Sequence, residues 1–285
     1  MQSTTKQKFL NSPLIRIILG LLLCFAVFIL AQQLVGKILD VTTIDKNYRN
    51  LIKGIIASSI VIFTYIFFYR KYEKREIGEF STKGLLRNII LGVLIGTTLQ
   101  GLTILVIYFW GDFQIISINP FSSIITPFAI AFSVAIFEET LLRGIIFRIV
   151  EEKLGSYISL AISAIIFGAA HLINPDSTLI SSVCIGIVGF MLGASYIYSR
   201  SLWLPIAIHF SWNFVQSGIF GAITSGNEET SSLFNTNISG VELITGGAFG
   251  PEATIQATIF WLLVSITLMT VITQQNKLIK PFWKS

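Results

Sequence analysis

Charge is scarce in this chain of 285 residues: Asp, Glu, Lys and Arg together make up 12% of it, about half the ~25% of an ordinary soluble domain. With 53% hydrophobic residues and a mean hydropathy of +0.75, that scarcity excludes a water-soluble globule. Cysteine is confined to Cys24 and Cys184, both inside apolar runs, where they read as small buried hydrophobes and offer no disulfide framework. No small-x-small cleavage pattern follows the basic residues Lys6, Lys8 and Arg16 and the apolar run 17–30. That run is therefore expected to be a retained first helix and not a cleaved signal. Internal repeats, heptads, low-complexity tracts and nucleic-acid motifs are also missing.

What the sequence has in abundance is apolar runs of about 20 residues, the length that crosses a hydrocarbon core. They fall near 17–35, 54–69, 88–110, 126–149, 157–173, 178–198, 203–221 and 254–273. The expected fold class is all-α, a polytopic transmembrane helix bundle of about eight spans with both termini on one side. Fifteen of the 20 Lys and Arg residues fall on the side of the termini, in the amino-terminal tail, 70–87, 148–153, Arg200 and the carboxyl-terminal tail. The opposite loops hold Lys37, Lys46, Arg49 and Lys53. Under the positive-inside rule this asymmetry predicts cytoplasmic termini. The segment 222–253, rich in Gly, Ser, Thr and Asn, carries Glu228, Glu229, Glu242 and Glu252 without Lys or Arg, and reads as an extracytoplasmic loop. Gly92 with Gly96, and Gly189 with Gly193, have the four-residue spacing that lets helices approach closely in lipid.

Against this background the ionisable residues inside spans stand out, because each costs about 2.5–3.5 kcal/mol at the centre of an inserted helix. Glu138, Glu139 and Arg143 interrupt the fourth run. The two histidines of the whole chain, His171 and His209, fall in the fifth and seventh, the latter followed by Asn213. Glu139 and Arg143 stand four apart on one helical face and are expected to pair, while Glu138 points about 100° away. Glu138 is then the freer carboxylate, with no fixed counter-charge, and a candidate general base. His209 and Asn213 are also four apart, so two hydrogen-bond donors can converge on a developing oxyanion. Taken singly, each has a structural explanation, such as a buried ion pair or an interhelical hydrogen bond. Their co-occurrence points to a site built for proton chemistry. Helical rise puts Glu138 roughly 16–18 Å, His171 roughly 21 Å and His209 roughly 9 Å from the cytoplasmic end of their spans, an approximate overlap.

In this order and on separate helices, E-E-x-x-x-R (Glu138, Glu139, Arg143), F-x-x-x-H (Phe167, His171) and H-x-x-x-N (His209, Asn213) resemble the signature of the CAAX prenyl protease and bacteriocin-processing intramembrane proteases, also called the Abi family. The resemblance covers about 125–216 and divides the single membrane domain into amino-terminal helices (1–124), a catalytic core (125–216) and a late loop with a last helix (217–285). It implies an endopeptidase that cleaves lipidated or hydrophobic membrane-associated peptides, such as CAAX tails or leader peptides, in a cavity open to the cytoplasm. By position, Glu138 activates water, His171 helps bind or orient it, His209 and Asn213 stabilise the tetrahedral intermediate, and Glu139, Arg143 and Phe167 support the site.

The family is often classed with metalloproteases, and Glu138, His171 and His209 form a legitimate zinc set. No H-E-x-x-H helix is present, however, and the reading favoured is a metal-free glutamate and histidine mechanism. The partners expected are membrane lipids and a membrane-associated peptide or lipidated protein, with no nucleic acid, at a multi-pass location in the cell membrane. Two rival readings start from the same residues: a non-proteolytic immunity or scaffold member of the family, and a proton-coupled transporter, for which repeat symmetry would be the sign.

Overall fold

The computed structural model describes residues 10–227 and 231–284; Lys6, Lys8, Glu228 and Glu229 lie outside them. The helices are α1 (Pro13–Asp40), α2 (Lys46–Tyr72), α3 (Leu85–Trp110), α4 (Ile125–Glu139), α5 (Arg148–Ala170), α6 (Leu179–Ser199), α7 (Trp203–Asn213) and α8 (Ile255–Gln274). A π-helical segment, Thr140–Phe147, joins α4 to α5 without a break, and a second, Phe214–Ile219, extends α7. Large apolar side chains such as Leu22, Phe63, Phe67 and Ile266 face outward, as a bundle bathed in hydrocarbon requires and a soluble one does not tolerate. The protein is a polytopic all-α membrane bundle.

Among the described residues, six helical stretches are long and apolar enough to cross a bilayer, and they hold seven of the eight predicted spans. One stretch, Phe121–Ile173, runs for 53 residues and contains both the fourth and the fifth. Inside it Gly155 breaks the helix with φ 79° and ψ 170°, a conformation open to glycine at little cost. The chain reverses there, since Arg143 and Phe167, equally far from Gly155 on its two sides, meet with the guanidinium carbon 4.8 Å from the ring centre. The carboxyl-terminal tail packs on the reversal, and a Cβ at Gly155 would stand 2.8 Å from the carbonyl oxygen of Ile279. The seventh predicted span is the short α7, buried along nearly its whole length. It is a central helix, lying against α3, α4 and α6.

Close approach of α7 to α3 depends on the glycine pair in α3. A Cβ on Gly92 would meet Ala207 and the carbonyl oxygen of Leu204, and one on Gly96 would stand 2.5 Å from the carbonyl oxygen of Ile208 and 3.0 Å from the amide of Trp212. Gly189 likewise admits the side chain of Phe167. Both pairs serve packing, as their spacing predicts.

The two ends of the bundle differ. At one end the loops are tied to both chain ends by charge: Glu73 accepts from Arg16 at 2.6 Å, Arg75 at 2.7 Å and Arg148 at 2.9 Å. Arg200 pairs with Glu151 at 2.6 Å and donates to the carbonyl of Lys277 at 2.6 Å. At the other end the helical bundle carries a small two-stranded antiparallel ribbon. Here β1 (Asp112–Ile118) pairs with β2 (Phe234–Ser239), Asp112 opposite Ser239 and Ile118 opposite Phe234. The segment 222–253 is thus folded onto the bundle; Asn119 donates to the carbonyl of Leu233 at 2.8 Å, and Asn174 to that of Ser225 at 3.1 Å. The start of α2 lies at this end too, where Thr126 donates to Asn47 at 2.8 Å.

Two stability predictions follow from these contacts. Gly96→Ala is expected to lower thermal stability in detergent, by about 1–3 kcal/mol, because backbone atoms of α7 must shift. Gly101→Ala, on the same helix with nothing within 4 Å of its Cβ, is expected to be neutral or to stabilise by about 0.5–1 kcal/mol. Burial raises the Glu73 carboxyl pKa, but Arg148, Arg75 and Arg16 outweigh it and hold the group below its ordinary 4.5. A carboxyl depressed in the folded state stabilises above its unfolded pKa, and that contribution fades as pH falls through the folded value. Glu73→Gln should therefore cost roughly 3 kcal/mol near neutrality. Melting curves recorded across pH should show the gap from wild type closing on acidification below about 4.5.

Candidate active site

The Glu138–Glu139 pair ends α4 where the π-helical segment begins, and the widened turn is a feature often found at functional sites. Glu139 is wholly buried, accepting from Arg143 Nη1 at 2.8 Å and from His209 Nδ1 at 3.0 Å. Arg143, equally buried, donates through Nη2 to the carbonyl of Gly189 at 2.8 Å and lies over the Phe167 ring. Ion pair, carbonyl and ring face together satisfy a guanidinium that could not otherwise sit in a bundle core. The expected pairing of Glu139 with Arg143 is present. The histidine hydrogen bond that makes Glu139 an orienting group for His209 was not foreseen.

Glu138, one residue earlier, turns away from this pair into a cavity of about 420 Å³. Its Oε2 lies 3.9 Å from His209 Nε2. The imidazole edge thus faces this carboxylate, a neighbour that no single helix reveals, because it arrives from α7 through the close α3–α7 packing. His209 is bound at Nδ1 by Glu139, so only Nε2 remains for the cavity. Asn213, one turn along, lines the same cavity at the junction of α7 with its π-helical extension.

His171 follows the last turn of α5. Its Nδ1–H donates to the carbonyl of Phe167 at 2.8 Å, and its ring stands edge-on to the Phe167 ring at 4.7 Å. That bond fixes the tautomer and leaves Nε2 as the second functional nitrogen. Glu138, Phe167, His171, His209 and Asn213 all line the one cavity; Glu139 and Arg143 stand behind its wall. The approximate overlap in depth expected from helical rise is realised in this shared cavity. Among the described residues, no three of His, Cys, Asp and Glu gather closely enough to hold one metal ion. Glu138, His171 and His209 nevertheless share the one cavity.

Other lining residues carried no motif. The Trp212 and Trp261 rings pack at a tilt of 48° with centres 4.3 Å apart. At the loop end of the cavity lies Glu252, nearly fully buried, which accepts from Ser225 at 2.5 Å and Gln216 at 2.7 Å. Burial raises the Glu252 carboxyl above its ordinary pKa, against the opposing pull of the Ser225 and Gln216 hydrogen bonds. Its only sequence signal was membership of an acidic loop free of Lys and Arg.

A family model described as type II CAAX prenyl endopeptidase Rce1-like matches residues 120–215, about a third of the chain and the part that holds all seven motif residues. No curated protein and no solved structure matches the chain. Over this core segment the chain matches the CAAX protease family, in agreement with the resemblance carried by its motifs.

Proposed function

We propose that the protein is an intramembrane endopeptidase that hydrolyses hydrophobic or lipidated membrane-associated peptides with water activated by Glu138. The observation that carries the reading is the division of labour between adjacent carboxylates. Glu139 is consumed by Arg143 and His209, whereas Glu138 opens on the cavity opposite His209 Nε2. The match of the core segment to a protease family supports the same reaction class.

In this mechanism Glu138 takes a proton from a water molecule as its oxygen bonds to the scissile carbonyl carbon. The oxyanion that forms receives hydrogen bonds from Asn213 Nδ2–H and His209 Nε2–H. With Nδ1–H committed to Glu139, donation from Nε2 calls for the doubly protonated ring, whose charge the flanking carboxylates Glu138 and Glu139 balance. His171 Nε2 orients the attacking water. When the carbon–nitrogen bond breaks, Glu138 returns its proton to the leaving amine, so the step consumes one water and regenerates the site. Lipid around the bundle supplies the substrate laterally, and the low-dielectric surroundings strengthen each of these electrostatic contacts. No nucleic acid has a role, and the cell membrane is the site of action.

Purified in detergent with a library of lipidated and hydrophobic peptides, the wild type is expected to cleave at least one. Glu138→Gln should lower kcat by about 10²–10⁴-fold. Retention of near-wild-type turnover by that variant would sink the glutamate mechanism. Asn213→Ala should cost about 10²–10³-fold in kcat with KM little changed, the pattern of a group that acts on the transition state. A rise in KM alone would instead place Asn213 in substrate binding.

A further inference from the structure

The family resemblance implies a cavity open to the cytoplasm, and the charge distribution predicts cytoplasmic termini. This fold does not permit both. The polar rim of the cavity, Asn174, Thr224, Ser225 and Asn227, belongs to the segments 171–178 and 222–253. Those segments are bound to each other, with Asn174 donating to Ser225 and the amide of Gly226 to the carbonyl of Phe249 at 2.8 Å. They share their end of the bundle with the β1–β2 ribbon. The opposite end gathers the first and last described segments: Tyr72 donates to the carbonyl of Leu10 at 2.7 Å, and the amide of Ser156 to that of Ile279 at 3.0 Å. Helix directions agree. The cavity is lined by α4 from Pro127 to Glu138, by α6 from Ile185 to Leu192 and by the last turns of α5 and α7; α4 and α6 begin, and α5 and α7 end, toward the ribbon.

Charge decides between the two orientations. Among the described residues the terminal end carries thirteen Lys and Arg and the ribbon end four, Lys37, Lys46, Arg49 and Lys53, with Arg143 inside the bundle. Short basic loops are retained in the cytoplasm. The ribbon end has Asp112, Asp176, Glu242 and Glu252 and, between Gly111 and its return into the membrane at Ile255, offers no Lys or Arg from the segments 111–124, 171–178 or 222–254.

We infer that the catalytic cavity opens on the extracytoplasmic face, so that its substrates are peptide segments exposed on or near the outer leaflet. The substrate-class half of this inference rests on the endopeptidase reading; the orientation half does not. Prenylated tails, which are made and displayed in the cytoplasm, are then excluded as natural substrates. The class that fits is the extracytoplasmic flank of a membrane-anchored or secreted peptide, with its apolar part against Ile130, Val134, Val188 and Trp212 and its polar part at the Asn174–Asn227 rim.

The test is single-cysteine labelling in intact cells, on a background in which the buried Cys24 and Cys184 are replaced by Ala. A membrane-impermeant maleimide is expected to label Asn227→Cys at the rim and Asn237→Cys on β2 without permeabilisation. Lys71→Cys and Lys280→Cys at the terminal end should be labelled only after it. The two reporters at each end keep the result readable if one variant fails to accumulate. Labelling of the terminal-end pair in intact cells, alone or together with the rim pair, overturns the orientation. The readout needs no turnover: if Glu138→Gln cleaves as well as wild type, the endopeptidase reading fails while the orientation result stands, and the reverse pattern is equally distinguishable.

Discussion

Four helical segments meet on one buried guanidinium. Arg143, from the π-helical turn after α4, holds Glu139, the Gly189 carbonyl of α6 and the Phe167 ring of α5, and Glu139 passes the connection on to His209 of α7. A lone charge at this depth would be expelled or neutralised, so the cation is stable only while its partners stay in place. The requirement works in both directions. Each partner is located by the need to satisfy Arg143, and the imidazole of His209 is turned so that its free edge meets Glu138. The chemistry on the cavity side is therefore set by electrostatics on the side that no substrate reaches.

Such convergence needs backbones closer than ordinary side chains allow. Gly92 and Gly96 let α7 approach α3 until a methyl group would collide with its backbone, and Gly189 lets α6 receive Phe167. In lipid, where burying apolar surface between helices gains little over contact with acyl chains, close packing supplies much of the association energy. The glycine pairs thus deliver His209 and Phe167 to the buried pair as well as holding the bundle together.

Much of this was legible in the sequence, for reasons that differ from residue to residue. Span positions follow from apolar length, and the Glu139–Arg143 pair follows from helical periodicity, since both depend on neighbours along one helix. The motif residues were found because polar groups in apolar runs are costly and so conspicuous. The contact of His209 with Glu139 was not legible, because it joins residues 70 apart through a helix crossing that periodicity does not encode. The β1–β2 ribbon escaped for a similar reason: the whole of the core, 125–216, lies between its pairing partners. Glu252 is polar in a polar loop and so attracts no notice, although the fold buries it beside the cavity. The short α7 was read as an ordinary span, since hydropathy reports burial without distinguishing lipid from protein.

The reversal at Gly155 joins the two arms that carry Glu138 and His171 with no intervening loop. At 1.5 Å per residue each arm is about 25 Å long from Gly155 to its functional side chain. The geometry is that of a pair of tongs: a change of about 5° at the pivot moves the tips by about 2 Å relative to one another, enough to make or break a hydrogen bond. The pivot is wedged from outside by the carboxyl-terminal tail, whose Ile279 and Pro281 backbone atoms leave no room for even a methyl group at Gly155. The segment 279–281, on the far face of the bundle from the cavity, thus helps set the gap between Glu138 and His171.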